Sequence, residues 1–113
     1  MQFPVVVHRN RQGDEALRER VRLMAEETGA QAFLRQQQAI MTRADARPLL
    51  PAIKCPTLVL VGDGDELTPL ALSQEIAAGV AGSRLVVIAD CGHLSTMERP
   101  DAVNRALVEW MAG

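Results

Sequence analysis

Two short aliphatic runs, "TLVLVG" at 57–62 and "RLVVIA" at 84–89, constrain this chain more than any other feature. Neither run alternates apolar with polar residues, so each predicts a strand buried on both faces, the pattern of a parallel sheet. Between them, Thr68 and Pro69 offer an N-cap followed by proline at the first helical position, and Leu72, Ile76 and Val80 form an apolar stripe. The unit over 57–89 therefore reads as strand, crossover helix, strand, a connection that joins two parallel strands with right-handed sense.

The flanking segments are helical. Leu17, Val21 and Met24 recur at helical spacing between Gly13 and Thr28, with charges opposite them and Gly29 as a stop. A second helix follows over about 30–41, with Phe33, Leu34, Gln37, Ile40 and Met41 on one side. Pro48, Pro51 and Pro56 then break the helical pattern. At the C-terminal end Pro100 opens a last helix, Asp101 suits its positive pole, and Val103, Ala106, Leu107, Trp110 and Met111 make its stripe. Glu98 reads as a cap for that helix. The expected organisation is a helical cap-like segment at 1–42, a proline-rich linker at 43–56 and a β-α-β-α part at 57–113, an α/β fold with two parallel strands.

At 113 residues, one domain with one core is expected. The basic first half, with nine Lys and Arg against six Asp and Glu up to residue 54, is no nucleic-acid patch. Its arginines interleave with Asp14, Glu15, Glu19, Glu26 and Glu27, and only Phe3, Phe33 and Trp110 are aromatic. No apolar run approaches the roughly 18–20 residues of a membrane span, and "MQFPVVVHRN" lacks signal-peptide character, so the cytoplasm is the expected compartment. Cys55 and Cys91 have no metal-ligand or disulfide spacing and read as two buried thiols.

Loops that follow parallel strands emerge at one sheet edge, where open α/β folds keep their ligand sites. "GDGDELTP" brings Asp63 and Asp65 to that edge, and "ADCGHLS" brings His93. A carboxylate beside an imidazole fixes its tautomer and stabilises the imidazolium formed when the other nitrogen takes a proton. The same residues also suit plainer roles, Asp63 to Asp65 as a tight turn and His93 as a packed loop histidine. The residues alone leave both open.

The stretches "IKCPTLVLVGDGDELTP" and "LVVIADCGHLSTMERPDAVNRALVEW" resemble the C-terminal portion of an α/β-hydrolase-fold enzyme, in strand order, loop spacing and flanking pattern over about residues 43–112. The resemblance implies Asp65 as the acid and His93 as the base of a catalytic triad, with Asp63 outside it. It implies hydrolysis of an ester, lactone or similar carbonyl substrate, without metal or organic cofactor. The two helices before "RADARP" are similar to the cap that such enzymes insert there.

One part of the family pattern is missing. The chain has no G-x-S-x-G, the strained elbow that carries the nucleophile. Ser73, Ser83, Ser95, Cys55 and Cys91 lack its glycines and its strand-to-helix setting. His8 follows three valines as an oxyanion-loop histidine would, but Arg9 replaces the glycine needed there, so Pro4 to Val7 read as a short strand or extended arm and His8 has no catalytic role. The expectation is a hydrolase portion, inactive alone, that self-associates or binds a missing N-terminal half. The alternative is a non-catalytic interaction module that works through an exposed sheet edge. A third reading takes Asp63 and Asp65 as the D-x-D of a magnesium-dependent haloacid-dehalogenase-like phosphatase, which Leu67 and the mid-chain position disfavour. Met24, Phe33, Ile40 and Met41 are candidates to line a pocket, or are ordinary core.

Overall fold

The computed structural model describes residues 6–113. Its sheet has two parallel strands, β1 (Leu58–Gly62) and β2 (Arg84–Ile88), paired in register from Leu58 opposite Arg84 to Gly62 opposite Ile88. The helices are α1 (Glu15–Thr28), α2 (Ala30–Thr42), α3 (Leu70–Gly79), a single turn α4 (Ser95–Glu98) and α5 (Pro100–Ala112). The proline-rich stretch is wound into a 3-10 helix, Arg47–Ala52. None of these helices is long and apolar enough to cross a membrane.

The helix boundaries follow from local chemistry. Asp14 caps α1 by accepting from the Leu17 N–H at 3.0 Å, and that bond together with the Arg11 guanidinium holds its carboxyl below the usual carboxylate range. Gly29, at φ +82°, ends α1 in a conformation that costs a residue with a Cβ and starts α2 at once. Pro100 occupies the first turn of α5, where a missing N–H loses nothing.

α3 and α5 both pack on the sheet, whereas α1 packs against α2. Leu17 and Val21 on α1 form a buried cluster with Val6 and Val7, and Leu94 and Met97 pack against it. Each such side chain contributes about 1.5–3 kcal/mol when fully buried, enough to tie the N-terminal segment to the loop that carries His93.

Burial departs from expectation at several points. Only Val61, Gly62 and Ile88 of the two strands are fully buried, and Val87 is exposed, so the strands are covered at their C-terminal ends rather than on both faces. In the α3 stripe Val80 is buried, but Leu72 is 48% and Ile76 41% exposed. Val103 and Ala106 of α5 are buried, while Leu107, Val108 and Met111 face outward. No residue of α2 is buried, and Phe33, Leu34, Ile40 and Met41 are exposed. Two strands with their helices supply too little surface to cover all these positions. Cys55 is exposed and only Cys91 is buried, which corrects the reading of two buried thiols. Of the expected arm over 4–7, residues 4 and 5 lie outside the described residues, and Val6 and Val7 are buried without joining a strand.

Candidate active site

The sheet's hydrogen bonding continues past the strand ends and draws the two loops together. Asp63 N–H donates to Ile88 O at 2.9 Å, Gly64 N–H donates to Cys91 O at 2.8 Å, and Cys91 N–H donates to Asp63 Oδ1 at 3.2 Å. Gly62 permits this approach, because a Cβ there would lie 2.3 Å from Cys91 O and 2.4 Å from Gly92 O. Asp90 turns the chain out of β2 at φ +50°, a left-handed conformation that aspartate accepts.

Asp65 and His93 meet across this junction, with His93 Nδ1 3.0 Å from Asp65 Oδ2. Asp65 is only 8% exposed, and its carboxylate is fully engaged. Oδ1 accepts from the Leu67 N–H at 3.1 Å and the Thr68 N–H at 2.9 Å, while Oδ2 accepts from the Thr68 hydroxyl at 3.0 Å. Facing a carboxylate, Nδ1 carries the ring proton, which leaves Nε2 as the basic nitrogen of the neutral imidazole. The His93 side chain is about one-third exposed, so Nε2 chemistry does not require unfolding. Such an arrangement can accept a proton at Nε2 and stabilise the resulting imidazolium.

Asp63 faces elsewhere. Besides the Cys91 N–H it lies 3.8 Å from His8 Nε2. Burial raises its pKa, but the N–H groups of Cys91, Asp90 and Gly64 and the nearby His8 outweigh that and hold the carboxyl below its ordinary value. The two aspartates of a phosphatase-type D-x-D would turn to one shared ion, whereas here Asp65 is committed to His93 and Thr68. Among the described residues, no cluster of three or more His, Cys, Asp or Glu side chains is gathered as a metal site.

Two positions take roles that sequence reasoning missed. Thr68 does not cap α3, whose N-cap is Pro69; its hydroxyl is spent on Asp65. Glu98 does not cap α5 either. It is 2% exposed, and its Oε1 accepts from both the His8 N–H and the Gly92 N–H at 3.0 Å. Among the described residues, its Oε2 is buried without a hydrogen-bond partner. The Glu98 main-chain oxygen accepts from Arg11 at 2.8 Å, and Val6 O accepts from the N–H groups of His93 and Leu94 at 2.9 and 3.2 Å. Residues 6–11 thus form the floor on which the His93 loop is built. A buried polar residue near a Gly-His pair was the available signal, but its partners are distant in sequence.

His8 fits this structural role. Its Nδ1 accepts from the Asn10 N–H at 3.0 Å, and its ring lies against Gly64, where a Cβ would come within 2.2 Å of it. The serines are also accounted for: Ser73 lies inside α3, the Ser83 hydroxyl donates to Ala77 O at 2.8 Å, and Ser95 opens α4. None stands on a strand-to-helix elbow. A polar cleft of about 350 Å³ opens on the Asp65 side, lined by His8, Arg9, Asp63, Gly64, Asp65 and Glu66. A more apolar groove of about 370 Å³ sits at the α1–α2 junction and includes Met24 and Phe33, but not Ile40 or Met41.

Comparison with known proteins bears on the fold and the family. A 2-hydroxy-6-oxononadienedioate/2-hydroxy-6-oxononatrienedioate hydrolase of Klebsiella pneumoniae is 35% identical over 68 residues, 60% of this chain and 24% of that protein. A thermophilic esterase from Thermogutta terrifontis superposes with a TM-score of 0.81 and 31% identity, over 98% of this chain and 41% of its own. The enol-lactonase from Burkholderia xenovorans LB400 gives a TM-score of 0.59 and 38% identity, over 62% of this chain and 26% of its own. The chain thus spans about a quarter of the curated relative's length. The alpha/beta hydrolase family pattern itself runs through residues 3–106, across both N-terminal helices, both strands and both loops, and the chain belongs to that family.

Proposed function

We propose that this chain supplies the acid and the base, Asp65 and His93, of a serine-type hydrolase acting on an ester, a lactone or a related carbonyl compound. The observation that carries the reading is the 3.0 Å contact between His93 Nδ1 and an Asp65 carboxylate whose other acceptor positions are all filled. In the reaction, His93 Nε2 takes the proton of an attacking serine hydroxyl as the serine oxygen bonds to the substrate carbonyl carbon. It then returns that proton to the leaving oxygen, and a water repeats the cycle to release the acid. Asp65 holds the ring and stabilises the imidazolium without taking the proton itself. The relatives named as esterase, enol-lactonase and hydrolase support the substrate class.

The serine comes from outside these 113 residues, since no G-x-S-x-G lies within them. By themselves they are inactive. The outward-facing Leu72, Ile76 and Val87 mark where further sheet and helix, or a second copy of the chain, would pack. The same exposed apolar positions favour the second reading, a non-catalytic interaction module. Cytoplasmic residence is part of the proposal and rests on the unpaired, exposed Cys55 thiol.

Hydrolysis of 4-nitrophenyl acetate tests the proposal. The chain alone should show no turnover beyond that of free imidazole. A chimera in which this chain replaces the matching part of the thermophilic esterase should turn over. A chimera that folds cooperatively yet hydrolyses nothing would favour the interaction module.

A further inference from the structure

The Thr68 hydroxyl oxygen lies 3.0 Å from Asp65 Oδ2 and 3.2 Å from His93 Nδ1, so one atom touches both members of the pair. It is not needed by α3, whose N-cap is Pro69. A hydroxyl has one proton to give and two lone pairs to offer, whereas an ionised carboxylate can only accept. The Thr68 proton therefore goes to Asp65, and what faces His93 is a lone pair. Two acceptors, Asp65 Oδ2 and Thr68 Oγ1, then converge on Nδ1.

We propose that Thr68 is a positioning residue whose hydroxyl, its own proton committed to Asp65, helps to hold His93 in the Nδ1–H form and so keeps Nε2 unprotonated and basic. The inference rests on the reading of Asp65 and His93 as an acid–base pair. The opposite tautomer would set the Nδ1 lone pair against the Asp65 oxygen, and Thr68 would meet that lone pair with its proton only by withdrawing it from the carboxylate, a cost that Asp65 alone would not impose. Thr68 also restrains the carboxylate at its other oxygen, where its N–H donates to Oδ1 at 2.9 Å. One residue thus fixes the acid from both sides and reaches the base.

The test needs no turnover. In the 113-residue chain, imidazole nitrogen NMR at neutral pH reports which ring nitrogen of each histidine carries the proton. His8 serves as the internal reference, because its Nδ1 accepts from the Asn10 N–H and its proton is therefore on Nε2. His93 should show the opposite pattern. Thr68→Val keeps the shape without the hydroxyl; it should make the His93 Nδ1–H exchange with water about fivefold faster, the factor of one ordinary hydrogen bond, and admit a second tautomer. Thr68→Ser should restore the parent signals. Wild-type His93 protonated at Nε2 overturns the proposal, as do unchanged His93 signals in Thr68→Val or a Thr68→Ser protein that behaves like Thr68→Val. If Thr68→Val does not fold, Thr68→Ala supplies the hydroxyl-free protein, with the same expected and overturning results. Because these signals are independent of hydrolysis, an inactive chimera with the expected tautomers would refute the catalytic reading and leave the role of Thr68 intact.

Discussion

His8 and Glu98 stand 90 positions apart, yet the His8 N–H donates to Glu98 Oε1 at 3.0 Å inside the protein. The same oxygen receives the Gly92 N–H, so a single buried carboxylate joins the N-terminal segment to the residue before His93. Two donors and one charge are removed from water together. Both N–H groups depend on that one oxygen, because a buried donor left unpaired costs about 1–3 kcal/mol.

Glu98→Ala leaves two buried N–H groups without an acceptor and opens a void. Urea unfolding should show a loss of about 2–4 kcal/mol. Glu98→Gln keeps an oxygen for both donors and should lose less than half as much. Equal losses would show that the charge matters rather than the acceptor.

The loops at the site tolerate no added carbon where they cross. Gly62→Ala would drive a Cβ to 2.3 Å from Cys91 O, a rigid backbone atom. Its unfolding free energy should fall by about 1–3 kcal/mol or more, with the His93 amide signals displaced. Gly13→Ala has nothing within 4 Å of the new carbon and serves as a control that should stay near the parent value.

Thiol chemistry should separate the two cysteines. Cys55 is exposed and Cys91 buried, so iodoacetamide at pH 8 should label the first and spare the second until the chain is unfolded. Burial, with the Glu98 charge adding to it, pushes the Cys91 thiol from its ordinary 9.0 to about 11. A folded-state pKa above the unfolded value contributes stability below pH 9 that is lost as pH rises through about 11. Cys91→Ala should therefore flatten the decline of unfolding free energy over that interval relative to the parent.

Acid should weaken the junction between the loops. The Asp63 carboxyl titrates below its ordinary value, so what it contributes is complete above that value and disappears as pH falls through the lower, folded-state pKa. Asp63→Asn should be less stable than the parent at pH 7 and lose less on acidification. An identical acid profile in both would remove Asp63 from the junction.

The parts legible in the sequence were those encoded locally. The all-apolar strands, the proline at the start of α5 and the glycine after α1 each carry their own physical reason within a few residues. The nearness of Asp65 and His93 followed from parallel-strand topology, since two loops at one sheet edge must neighbour each other. What escaped depends on partners far away in the chain. Glu98 looked like a cap because capping is a local rule, and its true donors lie at His8 and Gly92. Thr68 beside Pro69 satisfied the same rule, but the helix N-cap is Pro69 and the Thr68 hydroxyl turns instead to the buried Asp65 carboxylate three residues earlier. Leu72 and Ile76 carry a burial pattern, which records what the helix can bury rather than what these residues provide to cover it.

The most direct test of Asp65 and His93 as acid and base is the hydrolysis rate of the esterase chimera with His93→Ala and, separately, Asp65→Asn. The expected result is a fall in kcat of about 10³–10⁴-fold for each, with KM and cooperative unfolding near the parent values. Hydrolysis that survives His93→Ala undiminished would contradict it.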